Sequence, residues 1–582
     1  MNLKKIKYVL IFTLLFPLGC DDVLDLEPLD IISDAVVWED PNLIDSYLAD
    51  LYYRTDFIEL RGNLNEQTSL AMIASMGGEG RSFGAHHQSY IASTNVLTSA
   101  GVEDELDYWK YNNIRDCNYF IEKLATSALD EALIVQRTAE ARFLRAYMYF
   151  QMVIRFGGIP IITAPQDVDA TSEEIFVPRN SEKEVYDFII SEMEALTTIL
   201  PSAYGASDKG RPTQWAAYAL QSRAALYAAS IAKYGQVQLN GLLGFPASDV
   251  EHYAQISYDA SHAIIDNGIH ALYEVHADPM VNYQNIFLDE SDANTEVIMA
   301  EVYDYSKNRA HAFTLRATPH DFNGTWGSMN YHYDFIERFE FADGSPGNSI
   351  SRAQLTTQEW SSDELFGNRD PRFKASVFYP ESPWQGGKAL FHSATIRNGQ
   401  TLTAGTAEDG WPYKASDRNT IRTGFMIRKR TNENLKTTPV INDETDYIIF
   451  RVGEMYLNLA EAAFYLNKPE ALTVLNRLRE RADMPPKLMI TEEIIQNERL
   501  VELTWENHSY WDLRRWRIAK DVLDGVRLKG LKFTYNYDTK KYQIAIINAE
   551  GVARTFQDRN YYVPLGVNRV SENPNFVENP GY

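Results

Sequence analysis

The sequence predicts a mainly α protein: a helical-hairpin scaffold with a large, irregular, loop-rich and short-strand region inserted in its middle. Three observations predict it. Apolar residues recur at helical spacing through both outer parts of the chain, about 30–268 and 446–520. Short turns separate those stretches, so successive helices pair antiparallel and stack. The stretch between them, about 270–445, is rich in Gly, Asn, Asp, Ser and aromatic residues and has few long periodic runs.

Taken in order, the chain opens with MNLKKIKYVLIFTLLFPLGC. Lys4, Lys5 and Lys7 form a basic start, and Tyr8 to Leu18 an apolar run. That run is too short for a bilayer, which takes about 20 residues. Residues 1–19 read as a secretory signal that is removed, leaving 20–582 as one unit. The cut falls at Cys20, straight after the apolar run, and this resembles the lipobox of bacterial lipoproteins. There the thiol takes a diacylglyceryl group. Pro17 stands where that motif usually has Leu. The acidic CDDVLDLEP that follows resembles the signal sending lipoproteins to the outside of the outer membrane in Bacteroidetes-type bacteria. The expected location is therefore the outer membrane, lipid-anchored and facing the cell exterior.

In RTAEARFLRAYMYFQMVIR, the residues Phe143, Tyr147, Phe150 and Ile154 share one helix face, and Gly157-Gly158 with Pro160 end the helix. Ser181 caps a helix over 181–200, with Glu184 completing a capping box before Pro201. A third helix, 213–234, is so rich in Ala that a neighbour can approach closely; Gly235 ends it. A fourth runs over 252–267 to Gly268. In the C-terminal part helices are predicted over 452–466, 470–482, 491–505 and 511–518, broken at Asn467-Lys468-Pro469 and Pro485-Pro486. No strict 34-residue period runs through the letters, so repeats of the tetratricopeptide kind are degenerate here.

The composition excludes several functions. At 45% hydrophobic and 23% charged residues the chain is an ordinary globular one. With 55 Lys+Arg against 80 Asp+Glu the net charge is −25. A surface that acidic repels phosphate backbones, so nucleic acid is not an expected partner. Polyanionic ligands are disfavoured too, unless a local basic patch receives them. Cys20 and Cys117 are the two cysteines; with the first lipidated no disulfide remains, and Cys117 reads as a small buried apolar thiol.

The sequence holds no H-E-x-x-H and no G-x-x-x-x-G-K-[ST]. GGEGRSFG (77–84) lacks the Lys-Ser/Thr of a phosphate loop and reads as a flexible surface loop. His86 and His87 are adjacent, and on an extended chain their side chains point apart. ADGSPGNS lacks the acids and terminal Glu of an EF-hand. No catalytic residue, metal site or cofactor is expected.

Several stretches, in order along nearly the whole chain, resemble the SusD/RagB family of outer-membrane nutrient-binding lipoproteins. They are AEARFLRAYMYFQMVIRFGGIPII, DYIIFRVGEMYLNLAEAAFYLN, ALTVLNRLRERADMP, NERLVELTWENHSYWDLRRW and the tail NPNFVENPGY. Val452-Gly453 and His508 depart from the family pattern. The resemblance implies tetratricopeptide-like hairpins. It also implies a partner, a TonB-dependent SusC-like outer-membrane barrel on which the lipoprotein sits as a lid. Glu498, Arg499, Glu502, Asp512, Arg514 and Arg515 read as ion-pair networks between helices.

The expected ligand is an oligo- or polysaccharide. Sugars present C–H faces that stack on aromatic rings and hydroxyl edges that bond polar groups, so aromatic residues in loops are the candidates. These are Trp326, Tyr331, Trp384 and Trp411 in the middle region, with Arg81 and Tyr90 in the loop before Trp109. Trp505, Trp511 and Trp516 are assigned to packing. A protein of the same fold that captures peptides or another non-sugar nutrient is the alternative.

Overall fold

The computed structural model describes residues 37–57, 72–82, 93–94, 97–100, 106–167, 169–319, 322, 329–402, 405–406, 412–413, 423–435 and 442–582. The helices come first. Helices α1 (Pro41–Thr55), α2 (Tyr111–Ala125), α3 (Glu131–Phe156), α4 (Glu182–Leu196), α5 (Gln214–Tyr234) and α6 (Val250–Ile265) pack in succession, consecutive members against one another from α2 to α3 and from α4 to α6. Helices α7 (Val452–Tyr465), α8 (Glu470–Arg481), α9 (Glu492–Glu502) and α10 (Ser509–Arg515) follow after the irregular middle.

The expected caps form. Ser181 Oγ accepts from Glu184 N at 3.2 Å while Ser181 N donates to Glu184 Oε2 at 2.7 Å, which opens α4. Helix α3 ends at Gly157, at φ +70, where a Cβ would meet Leu243 Cδ2 at 2.3 Å. The Ala-rich α5 is buried along most of its length and packs on α4, α6 and α7. Its Ser222 bonds Ser261 of α6 at 2.8 Å and accepts from Asn458 Nδ2 of α7 at 3.0 Å, so the small-residue seam keeps its polar atoms satisfied. Cys117 is fully buried and its thiol is pushed up to about 12 by that burial, the environment of an inert thiol.

Two small sheets stand on this scaffold. In the first, strands β1 (Gly80–Ser82), β3 (Met329–Tyr331), β7 (Met426–Ile427) and β4 (Val377–Phe378) run side by side in the order β1-β3-β7-β4. The GGEGRSFG segment is therefore not a surface loop where it is described. Gly80 pairs with Tyr331, and a Cβ on Gly80 would meet Asn330 O at 2.0 Å, so the glycine is there for close backbone approach. The second sheet has the order β10-β9-β5-β6: β5 (His392–Arg397), β6 (Gln400–Leu402), β9 (Lys529–Asn536) and β10 (Lys541–Asn548). Strands β9 and β5 are parallel, so the C-terminal hairpin clamps the middle region from 140 residues away. Strands β2 (Val297–Glu301) and β8 (Tyr447–Arg451) form a separate antiparallel pair that leads into α7.

The charged residues of the C-terminal helices pair as expected, with one exception. Glu502 accepts from Arg451 at 2.8 Å, Arg372 at 3.0 Å and Arg481. Glu498 takes Arg372 at 2.6 Å and Arg479 at 2.8 Å. Asp512 joins Arg499 and Arg515, both at 2.8 Å, and Arg515 continues to Glu461. Arg514 is the exception. It donates to the carbonyl oxygen of Tyr561 at 2.7 Å and lies over the rings of Tyr510 and Trp511, so a carbonyl and two ring faces take the place of a carboxylate. Trp505, Trp511 and Trp516 are core residues. Among the described residues no helix is long and apolar enough to cross a membrane.

Candidate ligand-binding site

Cys20, Tyr90, Trp326 and Trp411 lie outside the described residues. The other three sequence-predicted site residues are placed, and each is buried. Trp384 has 0% of its surface exposed; its ring meets Phe378 edge-on at 4.9 Å, and Arg428 lies 5.9 Å from its centre. Tyr331 is also at 0%. Its hydroxyl bonds Thr504 Oγ1 at 3.1 Å and its ring stands edge-on to Trp505 at 5.6 Å. Arg81 is buried and donates to the carbonyl oxygen of Ala549. The expectation that these three face a ligand is corrected: no ring face of Trp384 or Tyr331 is free to stack. The reason is local. Short strands that bury their aromatic residues carry the same Gly- and Asn-rich letters as loops.

The pairing of β1 with β3 nevertheless relates two candidates. Ser82 is opposite Met329. The chain leaves β1 toward Tyr90 at the end where it enters β3 from Trp326, so the two segments are attached to the scaffold side by side.

That attachment is anchored by Glu79, one residue before β1. Its carboxylate is fully buried and accepts from Ser509 Oγ at 2.5 Å, Thr504 Oγ1 at 2.6 Å and the backbone N–H of Trp505 at 2.6 Å. Burial raises its pKa to about 7, against the three hydrogen bonds and Lys429, which favour the charged form. In the unfolded chain the same group ionises near 4.5. Between these values the native state holds a proton that the unfolded state releases, so stability falls as pH rises from about 4.5 to about 7. The expected size is on the order of 3 kcal/mol. Urea midpoints of the wild type should fall across that window, and those of Glu79→Gln should fall much less. Equal slopes would remove Glu79 from this role.

One cleft lined by described residues has the size of a ligand site, about 580 Å³. It lies between the loop before α5 (Tyr204 to Thr213) and the segment 286–300 that ends in β2. Its floor is apolar (Ile286, Phe287, Ile298) and its rim is charged. Lys209 pairs with Asp446 at 2.8 Å; Arg211 reaches Glu140 at 2.8 Å and Asp208 at 2.9 Å. Asp289 accepts from the Tyr273 hydroxyl at 2.8 Å and the Ser291 N–H at 3.0 Å. Glu290 accepts from the Asp446 N–H at 2.8 Å, and burial, with Asp446 and Glu444 beside it, raises its pKa. Such a rim can donate to and accept from a polyhydroxylated ligand. Sequence reasoning missed this cleft. Its walls come from segments far apart in the chain and are made of ordinary surface residue types, so no local signal marks it. Among the described residues no group of three or more His, Cys, Asp or Glu could hold a metal ion.

Comparison with known proteins places the chain. The profile described as "SusD family" matches residues 295–582, and the profile "Starch-binding associating with outer membrane" matches 35–226. "SusD-like protein P2" from Formosa agariphila is 24% identical over 604 aligned positions, covering 100% of both chains. "SusD-like protein P25" from the same organism is 24% identical, covering 76% of this chain and 75% of its own. A crystal structure of a SusD-like protein from Bacteroides fragilis is 26% identical, covers 96% of this chain and 100% of its own, and superposes with a TM-score of 0.72. A second, titled a SusD-like carbohydrate binding protein from the same species, is 22% identical, covers 93% and 100%, and has a TM-score of 0.71, which shows the fold alone. With profiles matched in both halves and the helical scaffold in common, the chain belongs to the SusD family.

Proposed function

We propose that the protein is a cell-surface lipoprotein that captures oligo- or polysaccharide and delivers it to a TonB-dependent SusC-like outer-membrane barrel. The observation that carries this reading is the family match in both halves of the chain. It is supported by relatives titled as carbohydrate-binding and laminarin-binding proteins. The N-terminal segment supports the anchor: Cys20 follows an apolar run and precedes Asp21-Asp22. Capture is binding chemistry, with no bond made or broken by this chain. Trp326, Trp411 and Tyr90 remain the aromatic candidates for the platform.

Delivery is tested at the membrane. Solubilised in mild detergent, the protein should bring down a large β-barrel; its recovery alone, under conditions that preserve comparable complexes, would count against a transporter partner. The anchor is tested by metabolic labelling with palmitate. The wild type should take up label and Cys20→Ala should not, leaving a soluble or uncleaved product. An unlabelled wild type sinks the lipoprotein reading.

A further inference from the structure

We propose that Arg430 receives an anionic group on the bound glycan, a uronate carboxylate or a sulfate ester. The inference rests on the glycan-binding reading above and specifies its ligand class. Arg430 keeps only 5% of its surface exposed, yet among the described residues no hydrogen-bond acceptor or carboxylate engages its guanidinium. It lies over two rings, its centre 4.0 Å from that of Tyr447 and 4.8 Å from that of Phe313. The other deeply buried arginines of the described residues are tied to partners. Arg451, Arg481 and Arg499 hold carboxylates, and Arg179, Arg369 and Arg514 hold carbonyl oxygens.

The acids nearest Arg430 are already engaged. Glu506 takes Lys429 Nζ at 2.6 Å and Arg451 at 2.8 Å. Asp443 takes the backbone N–H groups of Thr314 at 2.9 Å and Thr445 at 3.1 Å. Its donors, unfilled by any acceptor among the described residues, are left for an acceptor that comes from outside. The aromatic faces stabilise its charge but do not replace the in-plane acceptors its N–H groups can take.

The backbone adds an independent observation. Thr431 N donates to Arg428 O at 3.0 Å, closing a turn over 428–431 in which Arg430 takes the third position at φ +66. That is the left-handed conformation a type II turn ordinarily gives to Gly or Asn. A large side chain kept at a strained position, buried and without a partner, is a side chain held ready for something that comes from outside. The planar fork matches a carboxylate or sulfate with two parallel hydrogen bonds.

The test uses the soluble mature protein and three sets of probes: neutral β-glucan oligosaccharides, oligogalacturonides, and sulfated galactan oligosaccharides. Wild type, Arg430→Gln and Arg430→Lys are titrated calorimetrically and melted. The wild type should bind one of the acidic sets, and which one tells carboxylate from sulfate. Arg430→Gln should lose roughly ten-fold or more in that affinity, Arg430→Lys less, with melting temperatures not lowered. Added salt should weaken acidic-probe binding by the wild type and have little effect on the Gln variant. Wild-type binding confined to neutral probes, unchanged in both variants, overturns the proposal and leaves glycan capture standing. Early melting of both variants with unchanged acidic-probe affinity makes Arg430 structural and also overturns it. Failure to bind any of the three sets, with binding to other glycans, overturns it as well; failure with every glycan tested removes the reading beneath it.

Discussion

Glu502→Ala is expected to destabilise the protein by about 3–5 kcal/mol, enough to unfold many proteins of ordinary stability. The carboxylate is fully buried and is shared by Arg451, Arg481 and Arg372. Burial alone would raise its pKa, but the three guanidinia overrule that and hold it far below the ordinary carboxylate range. Removing the acid leaves three buried cations with less than their due. Glu296 still holds Arg451 and Arg481, and Glu498 still holds Arg372, so the loss is large without being total. These arginines come from β8, α8 and the middle region, so the single side chain ties three parts of the fold together. Chemical unfolding followed by circular dichroism measures the effect; an unchanged midpoint contradicts it. The acid side has the opposite sign to Glu79. A depressed carboxylate lends stability that is present above its unfolded value and is lost as pH falls toward its folded one. For Glu461, held down to about 2 against its burial by Arg515 and Arg499, that loss should fall between about pH 4.5 and 2.

Trp384→Ala is expected to cost about 3–5 kcal/mol as well, through the cavity it leaves. The ring is buried at 0% exposure against Phe378, and Arg428 rests on its face. Its melting temperature should fall by several degrees. Ligand affinity, measured where the variant is still folded, should change little. For Trp326→Ala and Trp411→Ala the platform reading gives the reverse: melting temperatures kept and affinity lowered roughly ten-fold, the worth of one stacking contact. A Trp384→Ala protein that melts with the wild type would mean the indole is not part of the core.

The helices were legible because their signals are local. Ser181 with Glu184, the stripe Phe143-Tyr147-Phe150, and the Gly157 stop each act within a few residues, and α3 to α9 fall within a few residues of their predicted spans. The ion pairs were legible from residue type, since alternating Arg and Glu in apolar helices have to meet one another. The hairpin β9–β10 was missed although Leu531, Phe533 and Tyr535 alternate with Lys532, Thr534 and Asn536, a period-2 pattern in plain view. The site was the least legible part. Trp384 and Tyr331 share the loop-like letters of the middle region, and only tertiary packing, Tyr331 between β1 and β7 and Trp384 against Phe378 of β4, shows that they are core. The cleft beside Lys209 and Asp446 joins residues 237 positions apart, and Arg430 is distinguished by its backbone conformation and by the partners it lacks.

Glycan capture is the property from which the proposed role follows. A glycan array probed with the labelled mature protein, followed by calorimetric titration of the strongest hits, tests it most directly. Saturable binding to at least one family of oligosaccharides, competed by the free polysaccharide, is the expected result. Saturable binding to peptides, with no oligosaccharide of any charge bound, would contradict it.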